Sequence, residues 1–412
     1  MQVFPLRVFL AGAMAILQVS CSACGGPQPN RTTFLPRDSA GVKIWEHTDI
    51  SPAPSGPWRV VETPTLILGQ AEGDDPFLFS RIRGAIPLPD GGVAVADGLS
   101  NEIRIFDGNG GHDRTVGGTG SGPGEFTRLR KAFRYRGDSI VGTDFMDGAL
   151  QIFSPKGDLG RSLICDPADS SMTALRPEGA LANGGFLVRA MQQFQLEPPT
   201  EGYHREHSVY QICYPDGSFG PLLAELPDLE FGTVTESGRP MSYPLEMGRK
   251  AISTVVGSRV FLGVTDRLEL RGYGADGGLA TILRVDIPPT PMSEEIKNRW
   301  MDYRLQTVTD PDERRQVRQR SKDLPWPDSL PVFSDVKGDS EGNLWVRRFL
   351  PVYDQGPDEW WVFGTDGAFL ARVDLPPAFR LDAIGSDFLL GVRADELGVE
   401  HVVRFRLEKT HS

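Results

Sequence analysis

A repeat with a spacing of 47 residues constrains the fold more than any other feature of this 412-residue sequence. Asp97 and Asp144 end two similar strand-like segments, and Phe106 and Phe153 end the strand-like segments that follow. Both pairs are 47 residues apart, and each Phe precedes a turn that contains glycine. A repeat of roughly 40–50 residues that holds several short strands is typical of a β-propeller, in which each copy forms one blade.

Further copies carry longer insertions. They lie near residues 182–217, 257–277, 339–367 and 385–405. The last copy ends before its outer strand, and residues 64–69 resemble the outer strand of an earlier copy. We therefore predict an all-β fold over residues 41–412, a six-bladed β-propeller of four-stranded blades whose ring is closed by an N-terminal strand.

Two motifs carry a family resemblance. Residues 116–126 read Val-Gly-Gly-Thr-Gly-Ser-Gly-Pro-Gly-Glu-Phe, and residues 89–97 combine a Pro-Asp-Gly-Gly turn with a strand that ends in Ala-Asp. Both resemble NHL-repeat propellers, and the whole chain resembles bacterial six-bladed β-propeller lipoproteins of uncharacterised function. The resemblance implies the fold and leaves the activity open, since six-bladed propellers also include metal-dependent lactonases and NHL-type lyases.

Charge and composition exclude some functions. The chain has 55 Asp and Glu against 43 Lys and Arg, a formal net charge of −12. An acidic chain is a poor binder of phosphate backbones, so we predict no nucleic-acid partner. The hydrophobic fraction of 39% is enough for a folded core.

The N-terminus predicts export. Residues 1–24 read as a lipoprotein-type signal peptide, with Arg7 before an apolar run over residues 8–19. Small residues precede Cys24, which is the first choice for lipidation, and Cys21 is the second. Residues 25–40 then read as a tether. We expect a lipid-anchored protein on the periplasmic or outer-membrane side of a bacterial membrane, or otherwise plain secretion.

Export also bears on the two remaining cysteines, Cys165 and Cys213. In an oxidising compartment such a pair forms a disulfide or remains as two buried, inert thiols. The sequence leaves both alternatives open.

The longest insertions predict a binding face. In a propeller, connections between second and third strands and between blades share one face of the ring. Residues 190–207, 225–247 and 288–331 belong to these connections, so we expect a face walled on the side of blades 3–5. Residues 288–331, between blades 4 and 5, read as partly helical, with a basic stripe. The stripe contains Arg314, Arg315, Arg318, Arg320 and Lys322.

Charged residues at strand ends supply candidate ligand contacts near the channel mouth. The predicted ligand-binding residues are Asp97, Asp144, Arg189, Asp266, Arg347 and Arg348. Residues near the starts of inner strands join them in the prediction, namely Arg83, Arg130, Lys131, Arg249 and Arg380. Such a mouth suits a polar or zwitterionic ligand. The alternative is structural, with Asp capping turns and Arg pairing with it.

Histidines offer only a weak metal signal. His204 and His207 have H-x-x-H spacing, but no third ligand can be identified, so we predict no metal site. No HExxH motif, G-x-S-x-G motif or P-loop is present.

Three functions remain at this stage. The first is a non-catalytic, monomeric propeller at the cell envelope that binds an unidentified ligand or an envelope protein, without a cofactor. The second is a lactonase- or lyase-like enzyme with its site in the central channel, and only this alternative calls for Ca²⁺ or Zn²⁺. The third is a structural scaffold of an envelope assembly.

Overall fold

A computed structural model describes residues 34–51, 58–146, 148–165, 172–192, 201–236 and 238–409. The predicted signal peptide, Cys21, Cys24 and the first part of the predicted tether lie outside these residues. In the part of the chain that is described, no helix is long and apolar enough to cross a membrane.

The described residues form six β-sheets. The N-terminal strands are β1 (Phe34–Ser39), β2 (Val42–His47) and β3 (Arg59–Leu68). Sheet 1 contains β4 (Ile82–Pro87), β5 (Val93–Asp97), β6 (Glu102–Phe106) and β7 (His112–Gly117). Sheet 2 contains β8 (Leu129–Arg134), β9 (Ile140–Asp144), β10 (Leu150–Phe153) and β11 (Leu159–Leu163). Sheet 3 contains β12 (Met172–Ala180), β13 (Phe186–Gln192), β14 (Gly202–Cys213), β15 (Phe219–Glu236) and β16 (Arg239–Pro244).

The second half of the chain continues the pattern. Sheet 4 contains β17 (Ala251–Val256), β18 (Arg259–Val264), β19 (Leu268–Tyr273) and β20 (Leu279–Val285). Two helices follow, α1 (Glu294–Thr307) and α2 (Pro311–Asp323). Sheet 5 contains β21 (Phe333–Gly338), β22 (Leu344–Arg348), β23 (Asp358–Phe363) and β24 (Phe369–Leu375). Sheet 6 contains β25 (Phe379–Ile384), β26 (Phe388–Ala394) and β27 (Glu400–Glu408).

Consecutive strands within each sheet pair antiparallel, and the first strand of every sheet lines one central channel. We call these first strands the inner strands. The prediction of a β-propeller built mainly from four-stranded sheets is confirmed at this level. Sheets 3 and 4 differ from it, because β16 adds a fifth strand to sheet 3 and the β1–β2 hairpin extends sheet 4 to six strands.

The N-terminal strands join two different sheets. β3 pairs antiparallel with β27 and is the outer strand of sheet 6, where the sequence places residues 64–69. The structure differs from the predicted tether over residues 34–39, which form β1. This hairpin is held by apolar burial: Phe34 stacks on His47 at 4.8 Å, and Trp45 is buried between sheets 4 and 5.

The repeat folds because its central strands are apolar on both faces. All five residues of β5 and all five of β9 are buried. Phe126, from the Gly-rich segment between sheets 1 and 2, is fully buried among residues of both sheets. Gly142 gives this ring its space, since a Cβ there would collide with Phe126.

The connections divide the propeller into two faces. We call the face that carries the turns between second and third strands, and the connections between sheets, the loop face. The opposite face is the turn face. On the loop face, the β15–β16 hairpin and helices α1 and α2 form a wall beside sheets 3–5. The wall is packed, because Arg320 of α2 binds Glu236 at 3.1 Å and lies over the Tyr243 ring at 4.2 Å.

A disulfide joins sheet 2 to sheet 3. Cys165, which follows β11, is bonded to Cys213 at the end of β14, with their Cα atoms 5.9 Å apart. Both side chains are buried, so the bond lies within the packing between these two sheets.

Candidate binding channel

The central channel has a volume of about 620 Å³. Its lining includes six basic and four acidic side chains, although acids outnumber bases in the chain as a whole. The basic residues are Arg130, Lys131, Arg134, Arg189, Lys250 and Lys337, and the acidic residues are Glu178, Asp335, Asp339 and Asp382. The channel is therefore positively charged relative to the rest of the molecule.

One carboxylate between sheets 2 and 3 binds two of these cations. The Arg130 guanidinium donates to Glu178 Oε1 at 2.8 Å. The Lys131 amine donates to the Glu178 carbonyl at 2.5 Å and lies 3.4 Å from its Oε2. A single negative charge cannot neutralise both, so this corner of the channel keeps an excess positive charge.

The environment changes the ionisation of this cluster. Burial lowers the pKa of Lys131 against the attraction of Glu178, and repulsion from Arg130 and Lys337 lowers it further. The side chain is still 39% exposed, because it faces the open channel. Burial opposes ionisation of Glu178, but Lys131 and Arg130 outweigh burial and lower the pKa of that carboxyl.

β-Bulges help to place these side chains in the channel. The pairing of inner and second strands skips one residue at Arg130, at Glu178 and at Asp382. A bulge re-aims the residue that it leaves unpaired, and all three of these residues line the channel.

Arg189 and Lys250 contribute on the side of sheets 3 and 4. Arg189 lines the channel as predicted, and its Nη1 lies 3.4 Å from Asp228 Oδ2. Asp228 is buried and also accepts hydrogen bonds from Ser208 Oγ and the Ala251 amide. Lys250 lines the channel without a carboxylate within salt-bridge distance in the described part of the chain.

Asp97 and Asp144 occupy other positions than predicted. Neither lines the channel, and both are buried. Asp97 accepts hydrogen bonds from the amides of Ser80 and Leu99, and Asp144 accepts them from the amides of Thr127, Arg128 and Met146. These carboxylates hold the connections of sheets 1 and 2, which is the structural alternative for aspartate at a strand end.

Three other predicted ligand residues also lie away from the channel lining. Arg347 binds Asp358 at 2.6 Å on the surface of sheet 5. Arg348 lines a separate cavity of about 460 Å³ beside the N-terminal segment, and Asp266 lines one of about 200 Å³ near sheet 4. The predicted set is therefore dispersed, with Arg189 alone in the channel lining.

The histidine pair also separates. The segment around His204 and His207 is strand β14, where the sequence predicts a loop. A β-bulge lies between Arg205 and His207, and the two rings have different surroundings. His204 stacks on Phe231 at 5.3 Å, whereas His207 is exposed. Among the described residues, no group of three or more His, Cys, Asp or Glu side chains is arranged to hold a metal ion.

The residues near the inner-strand starts were predicted in part. Arg130 and Lys131 line the channel, whereas Arg249 binds Glu230 and Asp328. Sequence reasoning missed Glu178 and Lys250. The repeat contains a signal for the first, since Glu178 follows Lys131 by the same 47 residues that separate the copies.

Comparisons with known proteins give no family. No family model matches the sequence, and no curated protein matches it. Among solved structures, a Bacteroides fragilis protein predicted to be exported is 12% identical with a TM-score of 0.45, covering 86% of this chain and 99% of that one. A gluconolactonase from Xanthomonas campestris is 11% identical with a TM-score of 0.41, covering 84% and 99%. Virginiamycin B lyase from Staphylococcus aureus is 12% identical with a TM-score of 0.39, covering 83% and 98%. Likenesses at this level do not assign a function.

Proposed function

We propose that this protein is a non-catalytic binding protein of the bacterial cell envelope, whose central channel binds a small anionic ligand. The observation that carries this proposal is the inversion of charge between the acidic chain and its basic channel lining. A volume of about 620 Å³ is in the usual range for small-molecule sites. Arg130 and Lys131 on one side and Lys250 on another would supply the charge-assisted hydrogen bonds.

Calorimetry with citrate and inorganic phosphate as probes, and glucose as the neutral control, tests this proposal. We expect the full chain to bind citrate at low salt and to lose affinity as salt rises. Lys250→Met should weaken citrate binding roughly tenfold, because a cation facing the ligand is lost. Lys297→Met, which removes the same charge from helix α1, is the matched control and should have no effect. Absence of anion binding, or an equal effect of both variants, would overturn the proposal.

The architecture and the location complete the proposal. The pairing of β3 with β27 supports a six-bladed ring closed by an N-terminal strand of the NHL-like type.

We also propose export and lipid anchoring at Cys24, with Cys21 as the second choice. Labelling of the full chain with a palmitate analogue in a bacterial host tests this, and Cys24→Ser should abolish the label while Cys21→Ser keeps it.

A lactonase- or lyase-like enzyme is the second candidate, favoured by the lowered pKa of Lys131 in the channel. An amine that loses its proton more readily can serve as a base towards a bound substrate. The residues do not fit the metal-dependent form, because Asp339 and Asp382 already accept backbone hydrogen bonds and the described residues contain no metal-binding group. Stoichiometric Ca²⁺ or Zn²⁺ in mass spectrometry of the purified full chain would contradict this misfit and favour the metal-dependent enzyme over the binding protein.

A further inference from the structure

Three equivalent turns on the loop face each expose a large apolar side chain at the tip, and the turn of sheet 2 also exposes Phe145, at 37%. These turns connect the second and third strands of sheets 1, 2 and 6. Leu99 and Met146 are each 63% exposed, and Leu397 is 85% exposed. The corresponding turn of sheet 4 carries the exposed Arg267 instead, so an apolar tip is not a requirement of the turn.

Each tip is held by an aspartate two residues before it. The amides of Leu99, Met146 and Leu397 donate to Asp97, Asp144 and Asp395 Oδ1 at 3.0, 2.8 and 2.9 Å. Such a bond fixes the backbone of a short turn. These three carboxylates are therefore engaged by the turns.

Unpaired arginines lie beside the tips. Arg81, Arg83 and Arg128 are exposed, and none has a carboxylate within 4 Å among the described residues. The main-chain carbonyl of Arg81 accepts a hydrogen bond from the amide of Gly98, which follows Asp97, at 2.8 Å. In the same way, the carbonyl of Arg128 accepts one from the amide of Phe145, which follows Asp144, at 2.9 Å. This contact places their backbones at the base of the tips. We call Leu99, Met146, Leu397, Arg81, Arg83 and Arg128 the low rim.

Electrostatic and aromatic contacts describe how the positive groups of the low rim are arranged. Burial lowers the pKa of Arg83, repulsion from Arg81 and Arg380 lowers it further, and attraction to Glu400 opposes the shift. The guanidinium groups of Arg128 and Arg176 each lie 5.2 Å from the centroid of the Phe145 ring. Positive groups held this close to one another are stabilised by an external anion.

The described chain also begins at the loop face. β2 runs parallel to β20, so both strands end there, and Phe34 is paired with His47 at that end. Phe34 lies ten positions after Cys24. An extended segment of that length spans up to about 36 Å. A lipid on Cys24 would therefore hold the loop face within this distance of a membrane.

We propose that the low rim rests on an anionic lipid bilayer, with its three apolar tips inserted among the acyl chains and its arginines bound to phosphate headgroups. The tips are separate projections, and a bilayer accepts separate projections without the continuous packed core that a protein interface needs. Arginine suits phosphate because its planar donors bind two oxygens together. The inference depends on the proposed export and is independent of the channel ligand.

An environment-sensitive fluorophore tests the orientation. It is attached to Cys introduced as Leu99→Cys, Met146→Cys or Leu397→Cys, in a full chain that also carries Cys21→Ser and Cys24→Ser. With vesicles of phosphatidylglycerol and phosphatidylcholine, we expect a blue shift at all three tips and a smaller shift with phosphatidylcholine alone. Asn109→Cys, on an exposed turn of the opposite face, is the matched control and should show none. Absence of a shift at the tips, or an equal shift at position 109, would overturn the inference.

A second measurement separates this inference from the channel proposal. The variant with Leu99→Gln, Met146→Gln and Leu397→Gln changes only exposed side chains, so its fold should be retained. We expect its affinity for the anionic vesicles to fall at least about tenfold. Its citrate affinity should be unchanged. Unchanged vesicle affinity would overturn the low-rim inference alone, whereas failure of the intact chain to bind citrate would overturn the channel proposal alone.

Discussion

The two halves of the loop face use the same strands in different ways. Beside sheets 3–5, long connections form a wall from the β15–β16 hairpin and helices α1 and α2. Beside sheets 6, 1 and 2, the turns between second and third strands are short, and aspartates hold them close to the sheets. The insertions thus decide what surrounds the channel on each side, while the sheets keep their form.

Buried polar groups are satisfied to different degrees in different sheets. In the short half, the buried carboxylates of Asp97 and Asp144 are satisfied by backbone amides. In the walled half, both carboxylate oxygens of Glu206 are buried without a hydrogen-bond partner, as are Tyr210 Oη and Arg189 Nε. A native fold keeps such orphans where they have a role or where water reaches them. Such orphans are concentrated in sheet 3, although Arg114 Nε of sheet 1 is another.

The largest effect should come from the boundary between the halves. Replacing both cysteines of the disulfide by Cys165→Ala and Cys213→Ala removes the covalent link between sheets 2 and 3. We expect the free energy of unfolding to fall by about 2–4 kcal/mol, measured by urea denaturation. Cys21→Ala with Cys24→Ala, outside the described residues, is the control and should leave the midpoint unchanged. Two separate transitions in the disulfide variant would mean that the halves unfold independently.

A smaller effect on the free energy of unfolding should distinguish Asp144 from Asp266. Asp144→Ala leaves the amides of Thr127, Arg128 and Met146 without their acceptor. We expect a loss of about 1–3 kcal/mol in unfolding free energy. Asp266→Ala, at the corresponding turn of sheet 4, should change stability by less than about 0.5 kcal/mol. Equal losses of unfolding free energy in the Asp144→Ala and Asp266→Ala variants would refute a special structural role for Asp144.

The smallest effect should depend on pH. Burial raises the pKa of Glu206, with repulsion from Asp228, while Arg189 and Arg176 oppose the rise. Because the raised value belongs to the folded state, Glu206 favours folding at low pH, and this stability is lost as pH rises from about 4.5 through the raised pKa. Glu206→Gln should therefore raise the melting temperature relative to the parent chain at neutral pH, but not below pH 4.5. Glu246→Gln, exposed nearby, should show no such difference.

The sequence predicts the strands of the short half better than those of the walled half. Local turn chemistry and the repeat suffice to place β5, β6, β9 and β10. The roles of Asp97 and Asp144 were not predictable in the same way, because a carboxylate after a strand can point to solvent or to its own turn. The pairing of Lys131 with Glu178 depends on bulges in two separate sheets, which no local pattern specifies. The sequence places residues 190–207 and 225–247 in connections, because these stretches lack the period-two pattern of a half-buried strand. In the structure β14 already begins at Gly202 and β15 continues to Glu236.

The β1–β2 hairpin has a mechanical consequence. Strand β3 belongs to sheet 6 and its Thr65 contacts Arg404, 339 residues away, so the contact joins distant parts of the chain. A force applied at residue 34 reaches β1 and β2 first, and these are fastened to sheet 4. The hairpin must be peeled from β20, and Trp45 withdrawn from its buried position, before tension reaches β3. If a lipid holds the N-terminal end of the chain, a pulling force would detach the β1–β2 hairpin first. The pairing of β3 with β27 would stay intact until then.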